Sequence, residues 1–182
     1  GKRMIKKIAI VVAVVAAGWY SQVGGRQINE SQVQDFYRQE SQAFYARDPE
    51  AMCKLISTKF HGTERIKMMG ESREATTTRD QTCESYRAAF DSFEKMGGKM
   101  GGILSMEYSQ NIDHIEIAPH RKSARVTGTK TLKMGGAIME FNIRFTEDIE
   151  REWGQAKMVR SDTTTRVVMM GDSGMKQSDF FR

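Results

Sequence analysis

The hydrophobic period of this chain changes twice. Residues Ile8 to Ala17 are apolar without a break, and Gly18, Trp19 and Tyr20 extend the run. From Asn29 to Gly98 apolar residues recur at the three-and-four spacing of helices with one buried face. From Ile103 to Val168 they alternate with polar ones, as in strands with one buried face.

Each helical segment carries its own start signal. Asn29 with Gln32 forms a capping box, and Val33, Phe36, Tyr37 and Phe44 then share one face of a helix ending near Ala46. Asp48, Pro49 and Glu50 supply an N-cap, a first-turn proline and a first-turn acid for a short second helix bearing Met52, Leu55 and Ile56. Phe60 to Met69 reads as a short strand ending at Gly70. Thr78 with Gln81 caps a third helix with Cys83, Tyr86, Phe90 and Phe93 on a face, and Gly97-Gly98 is expected to stop it.

Four long strands follow, at Ile103 to Ala118, Ser123 to Met134, Ile138 to Glu150 and Gln155 to Val168. Pro119-His120, Gly135-Gly136 and Trp153-Gly154 separate them. In the third, Met139, Phe141, Ile143 and Phe145 alternate with Glu140, Asn142, Arg144 and Thr146, so one face is buried and one polar. Short connections imply an antiparallel meander, and the helices are expected to cover its apolar face. The fold class is therefore α+β, helices packed on a curved antiparallel sheet behind an N-terminal apolar helix.

This order of elements, from Ile28 to Val168, resembles the nuclear transport factor 2-like superfamily, which includes ketosteroid isomerase and polyketide-cyclase-like proteins. The local likeness is Phe44 through Ile56, a helix, an Asp-containing turn and a second helix, with Phe60 opening the first strand. The resemblance implies a sheet wrapped into a cone around a long helix, often dimeric through the outer sheet face. Members with an N-terminal membrane segment include periplasmic assembly proteins of type IV secretion systems and proteins of bacterial lipid-import systems.

Charge alters the picture only after it is divided. Lys2, Arg3, Lys6 and Lys7 precede the apolar run, leaving 24 bases against 23 acids in the rest of the chain. A basic flank before an apolar run is an export signal or membrane anchor, with the flank cytoplasmic and the bulk of the chain outside the cytosol. As a helix, Ile8 to Tyr20 rises roughly 20 Å, short of the ~30 Å hydrocarbon core unless lysines snorkel and Trp19 and Tyr20 sit at the interface. A retained anchor that includes Ile8, Val11, Val14, Trp19 and Tyr20 is the reading adopted. Cleavage after Val15-Ala16-Ala17, releasing a soluble exported domain, is its alternative. The near-neutral remainder leaves no electrostatic footprint for nucleic acid. The expected organisation is residues 1–23 as flank and anchor, 24–168 as one domain and 169–182 as a tail.

In an oxidising compartment Cys53 and Cys83 are a candidate disulfide, against which stands a pair of buried free thiols. Catalytic chemistry is harder to place. The histidines are His61, His114 and His120, and Asp113 and His114 are strand neighbours whose side chains face opposite ways unless a bulge intervenes. The pair reads as an exposed kink, and Glu107 or Asp113 remains as a single interior carboxylate. Gly171-Asp172-Ser173-Gly174 resembles the nucleophile segment of chymotrypsin-like serine proteases but departs at Met175, so it reads as a polar turn in the tail. Gly98-Lys99 is followed by Met100 and makes no phosphate-binding loop. Lys-Met-Gly-Gly occurs at Lys95, Lys99 and Lys133. Its thioethers suit Cu(I), though the lysines repel a cation and gap-filling methionine is the simpler account.

These readings favour a non-catalytic envelope protein without cofactor or metal, an assembly or dimerisation module at the membrane. Its partner is a second copy or another envelope subunit, met through Glu140, Asn142, Arg144, Arg160 and Asp162 on the outer sheet face. The alternative is a small-ligand carrier or isomerase-like enzyme using the cone interior, with periplasmic copper handling a minor third. A deep pocket holding a buried, shifted carboxylate favours the ligand reading, and a filled cone with an apolar outer face favours assembly.

Overall fold

A computed structural model describes residues 2–22, 24–99, 105–136 and 138–169. Helix α1 (Lys2–Gln22) leads through a 3-10 turn (Gly24–Arg26) into α2 (Glu30–Tyr45) and α3 (Pro49–Lys54). Strands β1 (Ile56–Met68) and β2 (Glu71–Thr78) follow, then α4 (Arg79–Lys99), β3 (Met106–Ile117), β4 (Ser123–Met134), β5 (Met139–Glu152) and β6 (Gln155–Met169). One curved, unclosed sheet has the order β2-β1-β6-β5-β4-β3. The pairs are antiparallel except β1 with β6, which run parallel and bring Glu64 opposite Thr163.

The capping signals do what their chemistry predicts. Asn29 accepts from the Gln32 N–H at 2.9 Å while the Gln32 side chain accepts from the Asn29 N–H at 3.0 Å, closing the box. Asp48 accepts from the Ala51 N–H at 2.9 Å, with Pro49 in the first turn of α3. Thr78 and Gln81 exchange the same pair of bonds ahead of α4.

Three expectations need correction. Gly97-Gly98 does not stop α4, which runs on to Lys99; glycine in a helix costs only about 1 kcal/mol relative to alanine, and Gly97 is buried. Ile56 opens β1 instead of closing the second helix, so the first strand is long rather than short. The segment between Gly70 and Thr78 is a strand, β2, that alternation could not reveal because none of its residues is buried. It is an edge strand folded back by Met69 (φ 50°) and Gly70 (φ 87°), the two left-handed residues a tight hairpin of this kind requires.

The apolar stripes meet in three clusters rather than one. Val33, Phe36 and Tyr37 of α2 pack with Phe145, Ile149, Val126 and Cys53. Phe90 joins Ala43 and Met52, with Phe44 and Phe93 against them. Met134 and Met139 form the third with Met96, Leu132 and Phe141. Tyr86 touches the first two clusters and Phe93 the last two, so α4 links all three. The Cys53–Cys83 disulfide, with Cα atoms 5.4 Å apart, ties α3 to α4 on this side.

Helix α1 is exposed along Ile8, Val11, Val14 and Trp19, and is long and apolar enough to cross a membrane. Its 21 residues rise about 32 Å.

Candidate functional site

Three charged side chains lie on the buried phase of their elements. Glu40 follows Phe36 and Tyr37 by one helical turn and is 3% exposed. Lys130 continues the buried set Ala124, Val126 and Gly128 of β4, and Glu147 falls between Phe145 and Ile149 on β5. The sheet register carries Lys130 opposite Ile143 on β5 and opposite Gln110 on β3.

These groups close one network. Lys130 Nζ donates to Glu40 Oε1 at 2.8 Å and to Glu147 Oε1 at 3.1 Å. The Tyr37 hydroxyl donates to Glu147 Oε2 at 2.7 Å, and Gln110 Nε2 donates to Glu40 Oε2 at 2.7 Å. Every carboxylate oxygen therefore has a donor, which such burial demands. The ammonium also stands 4.6 Å from the centroid of the Phe145 ring, a cation–π contact in a dry setting.

The electrostatics are set by burial first. Desolvation raises Glu40 above its ordinary value; Lys130 pulls it back, and Glu147 pushes it up again. For Lys130 burial alone would lower the pKa, but Glu147 and Glu40 together outweigh it and hold the ammonium charged well above its ordinary range. Burial, then Glu147, raises Tyr37, which stays a hydrogen-bond donor. Two carboxylates around one ammonium leave an excess negative charge at this wall.

The network forms one wall of a cavity of about 250 Å³ inside the cone. Phe44, Tyr86 and Tyr108 supply aromatic wall, and Phe44 stacks on Tyr108 with centroids 4.5 Å apart. Thr163, Thr165, Ser161 and Thr77 add hydroxyls from β6 and β2, Ser161 donating to Glu147 Oε1 at 3.4 Å, and Glu64 of β1 lines the same cavity. Glu64 is raised by burial and has no ion pair among the described residues. Burial also raises Tyr86 and Tyr108, so both keep their hydroxyl protons. Chemically, the cavity offers phenolic donors, a fixed cation and one carboxylate free to accept a proton.

The structure separates the residues expected from sequence. Cys53 and Cys83 come together as the disulfide beside Met52 and Tyr86 of the cavity wall. Glu107 and Asp113, the interior carboxylate candidates, are both exposed. So are His61, His114 and His120. The ladder shifts between Ile112 and His114, so Asp113 sits at a bulge, and Asn111 donates to it at 2.6 Å. Met96, Met134 and Met139 fill an apolar cluster. Gly171 to Gly174 and the tail from Met170 onward lie outside the described residues, as does the Lys99 repeat beyond its lysine and the expected strand start at Ile103. On the outer face Asn142 donates to Glu140 at 3.0 Å and Arg160 pairs with Asp162 at 2.9 Å, while Arg144 is exposed without an ion pair among the described residues.

Sequence reasoning missed Glu40, Lys130, Glu147 and Glu64. The signal was a charged residue in phase with the apolar stripe of each element, a position where charge is costly unless a partner is built in.

No family model matches the chain, and no curated protein matches it in sequence. Solved structures do. A nuclear transport factor 2-like protein of unknown function from Shewanella oneidensis is 15% identical with a TM-score of 0.53, over 74% of this chain and 97% of its own. A proposed scytalone dehydratase from Novosphingobium aromaticivorans is 14% identical with a TM-score of 0.56, over 81% of this chain and 94% of its own. A ketosteroid isomerase-like protein from Erwinia carotovora atroseptica is 14% identical with a TM-score of 0.50, over 76% and 98%. The fold is therefore nuclear transport factor 2-like, and at these identities the likeness speaks for the fold alone.

Proposed function

We propose that the chain holds a small-ligand-binding domain at the outer face of a membrane, as a carrier or as an isomerase- or dehydratase-like enzyme. The observation that carries this reading is the cavity of about 250 Å³ with the buried Lys130–Glu40–Glu147 network and unpaired Glu64 in its lining. Its size, just under the ~300–1,000 Å³ of sites for drug-sized ligands, suits a small molecule. Its lining holds three carboxylates against one ammonium, so an uncharged ligand with an apolar ring or chain and a carbonyl or hydroxyl fits better than an anion. In an enzymatic version Glu64 takes a proton next to a carbonyl that Tyr86 or Tyr108 polarises by hydrogen bonding. The names of the dehydratase and isomerase-like neighbours agree with that chemistry.

A thermal-shift screen of uncharged carbonyl- and hydroxyl-bearing compounds tests it. Protection of the native chain that disappears in Thr163→Phe, which fills the cavity, is the expected result. Glu64→Gln should keep binding and lose any turnover. Failure of every compound to protect would remove the reading. The anchor is tested separately by alkaline extraction: retention in the membrane is expected, and release with Gly18 as the new N-terminus would show a cleaved signal.

A second reading, assembly, rests on the outer face of β5 and β6. It carries Arg144 exposed and without an ion pair among the described residues, and no apolar patch forms among Glu140, Asn142, Arg160 and Asp162 beside it. A polar, mixed-charge partner face from a second copy or an envelope subunit fits it.

A further inference from the structure

The segment that follows α1 is built into the sheet. Arg151 donates to the backbone carbonyls of Gly24 at 3.0 Å and Gln27 at 3.1 Å, and the Gly154 N–H donates to Gly25 O at 3.2 Å. The Ile28 N–H donates to Arg121 O at 2.7 Å, fastening the β3–β4 turn to the same segment. Gly154 lies so near Tyr20 that a Cβ there would collide with the Tyr20 hydroxyl, 2.5 Å away. The chain from Gly24 to Ile28 is thus a fixed bracket, and the β5–β6 turn sits level with the end of the apolar helix.

At that turn stands Trp153. It is 82% exposed and has a φ of 51°, a left-handed backbone that bulky residues rarely adopt. Neither the core nor the turn geometry calls for an indole there. Trp153 borders a groove of about 490 Å³ with Arg26, His120 and Lys122. Arg26 and Lys122 of the groove, and Arg121 next to Lys122 in the β3–β4 turn, are exposed and make no ion pair among the described residues, whereas the groove's two carboxylates, Glu150 and Glu152, are both paired with Lys59, at 2.5 and 3.6 Å. An otherwise charge-balanced domain therefore gathers free cations around one exposed indole, beside the exit of its apolar helix.

We propose that this end of the domain lies on the surface of a bilayer containing anionic phospholipid, with Trp153 in the interfacial layer and Arg26, Arg121 and Lys122 on the headgroups. The inference rests on the reading of α1 as a membrane anchor. Indole is favoured at the boundary between hydrocarbon and water, and Trp153 is held at the level of Tyr20, where α1 leaves the hydrocarbon. Basic side chains within a Debye length of an anionic surface are drawn to it, and the bracket keeps them there without a flexible linker. The docked domain is fixed in orientation, not tethered loosely.

Tryptophan quenching in the full chain tests this, because Trp19 and Trp153 are its two indoles. Each is read alone, Trp153 in Trp19→Phe and Trp19 in Trp153→Phe, after reconstitution into vesicles with bromine-labelled phosphatidylcholine. Trp153 should lose emission and shift to the blue when phosphatidylglycerol is included. Both effects should weaken in high salt and in the Arg121→Glu/Lys122→Glu variant. Trp153 that stays unquenched while Trp19 is quenched overturns the docking and leaves the anchor standing. If Trp19 is unquenched as well, the anchor reading falls and the docking with it. Quenching of Trp153 that ignores lipid charge also overturns the proposal.

Discussion

The ring of Phe145 closes over Gly128 from one side and the Asn111 carbonyl from another: a Cβ there would lie 2.7 Å from Phe145 Cζ and 2.3 Å from Asn111 O. Gly128 and Phe145 are partners across β4 and β5, and the same ring carries the Lys130 ammonium 4.6 Å from its centroid. Gly128→Ala should therefore cost ~1 to 3 kcal/mol by overpacking, read from urea melts. Phe145→Leu added to it should recover part of that loss. If the double variant is no better than the sum of the two singles, the Asn111 carbonyl and not the Phe145 ring sets the cost.

Lys130→Met leaves Glu40 and Glu147 buried without their cation. A loss of ~3 to 5 kcal/mol at neutral pH is expected, as for other broken buried pairs. Glu40, already raised by burial, then loses the cation that pulls it back and takes up a proton more readily in the folded state than in the unfolded chain, so the deficit should shrink as pH falls towards 4.5, the ordinary value for glutamate. Denaturant melts at several pH values measure this. A deficit that is constant with pH would mean that the carboxylates are not where the penalty lies.

Glu40→Gln tests the sign of one shift. Folding raises Glu40 above 4.5, chiefly through burial, so the native state binds more protons than the unfolded state just above that pH. Wild-type stability therefore carries a component that falls as pH rises from 4.5 to the raised folded value. The variant lacks it, and the stability difference should move in the variant's favour between pH 4 and pH 8. Movement the other way would show Lys130 stabilising the ionised carboxylate by more than burial penalises it.

The disulfide closes a separation of 30 residues. Cys53→Ser should cost ~3 to 4 kcal/mol in the chain-entropy model. Thiol titration of the unreduced, unfolded wild type should find neither Cys53 nor Cys83 reactive, and two reactive thiols would refute the bridge.

Arg144→Glu addresses the assembly reading. Reversing this exposed charge should weaken self-association or partner binding in sedimentation experiments while leaving the melting temperature unchanged. A specific interface there should bury about 1,200 Å² or more. A monomer at every concentration, with no envelope partner captured in either form, would leave that face without a role in assembly.

Much of this architecture is local, and local physics is written in adjacent residues. The capping pairs Asn29/Gln32, Asp48/Ala51 and Thr78/Gln81 act within four residues, so their helices could be placed from the sequence. The alternation of Met139 to Phe145 likewise fixes which face of β5 is buried, because side chains in a strand point to opposite faces in turn. β2 escaped because an edge strand with no buried residue has no alternation to read; its pairing with β1 alone defines it. The interior site escaped for another reason. Glu40, Lys130 and Glu147 lie far apart in the chain, and each by itself is only a charge out of place on an apolar stripe. Their meaning arises where curvature of the sheet and packing of α2 bring the carboxylates within 2.8 and 3.1 Å of one ammonium. Sequence determines that each element has a buried face and where it begins. Only the tertiary structure decides which buried charges compensate one another, because the electrostatic cost of each depends on its neighbours in space and not on its neighbours in the chain.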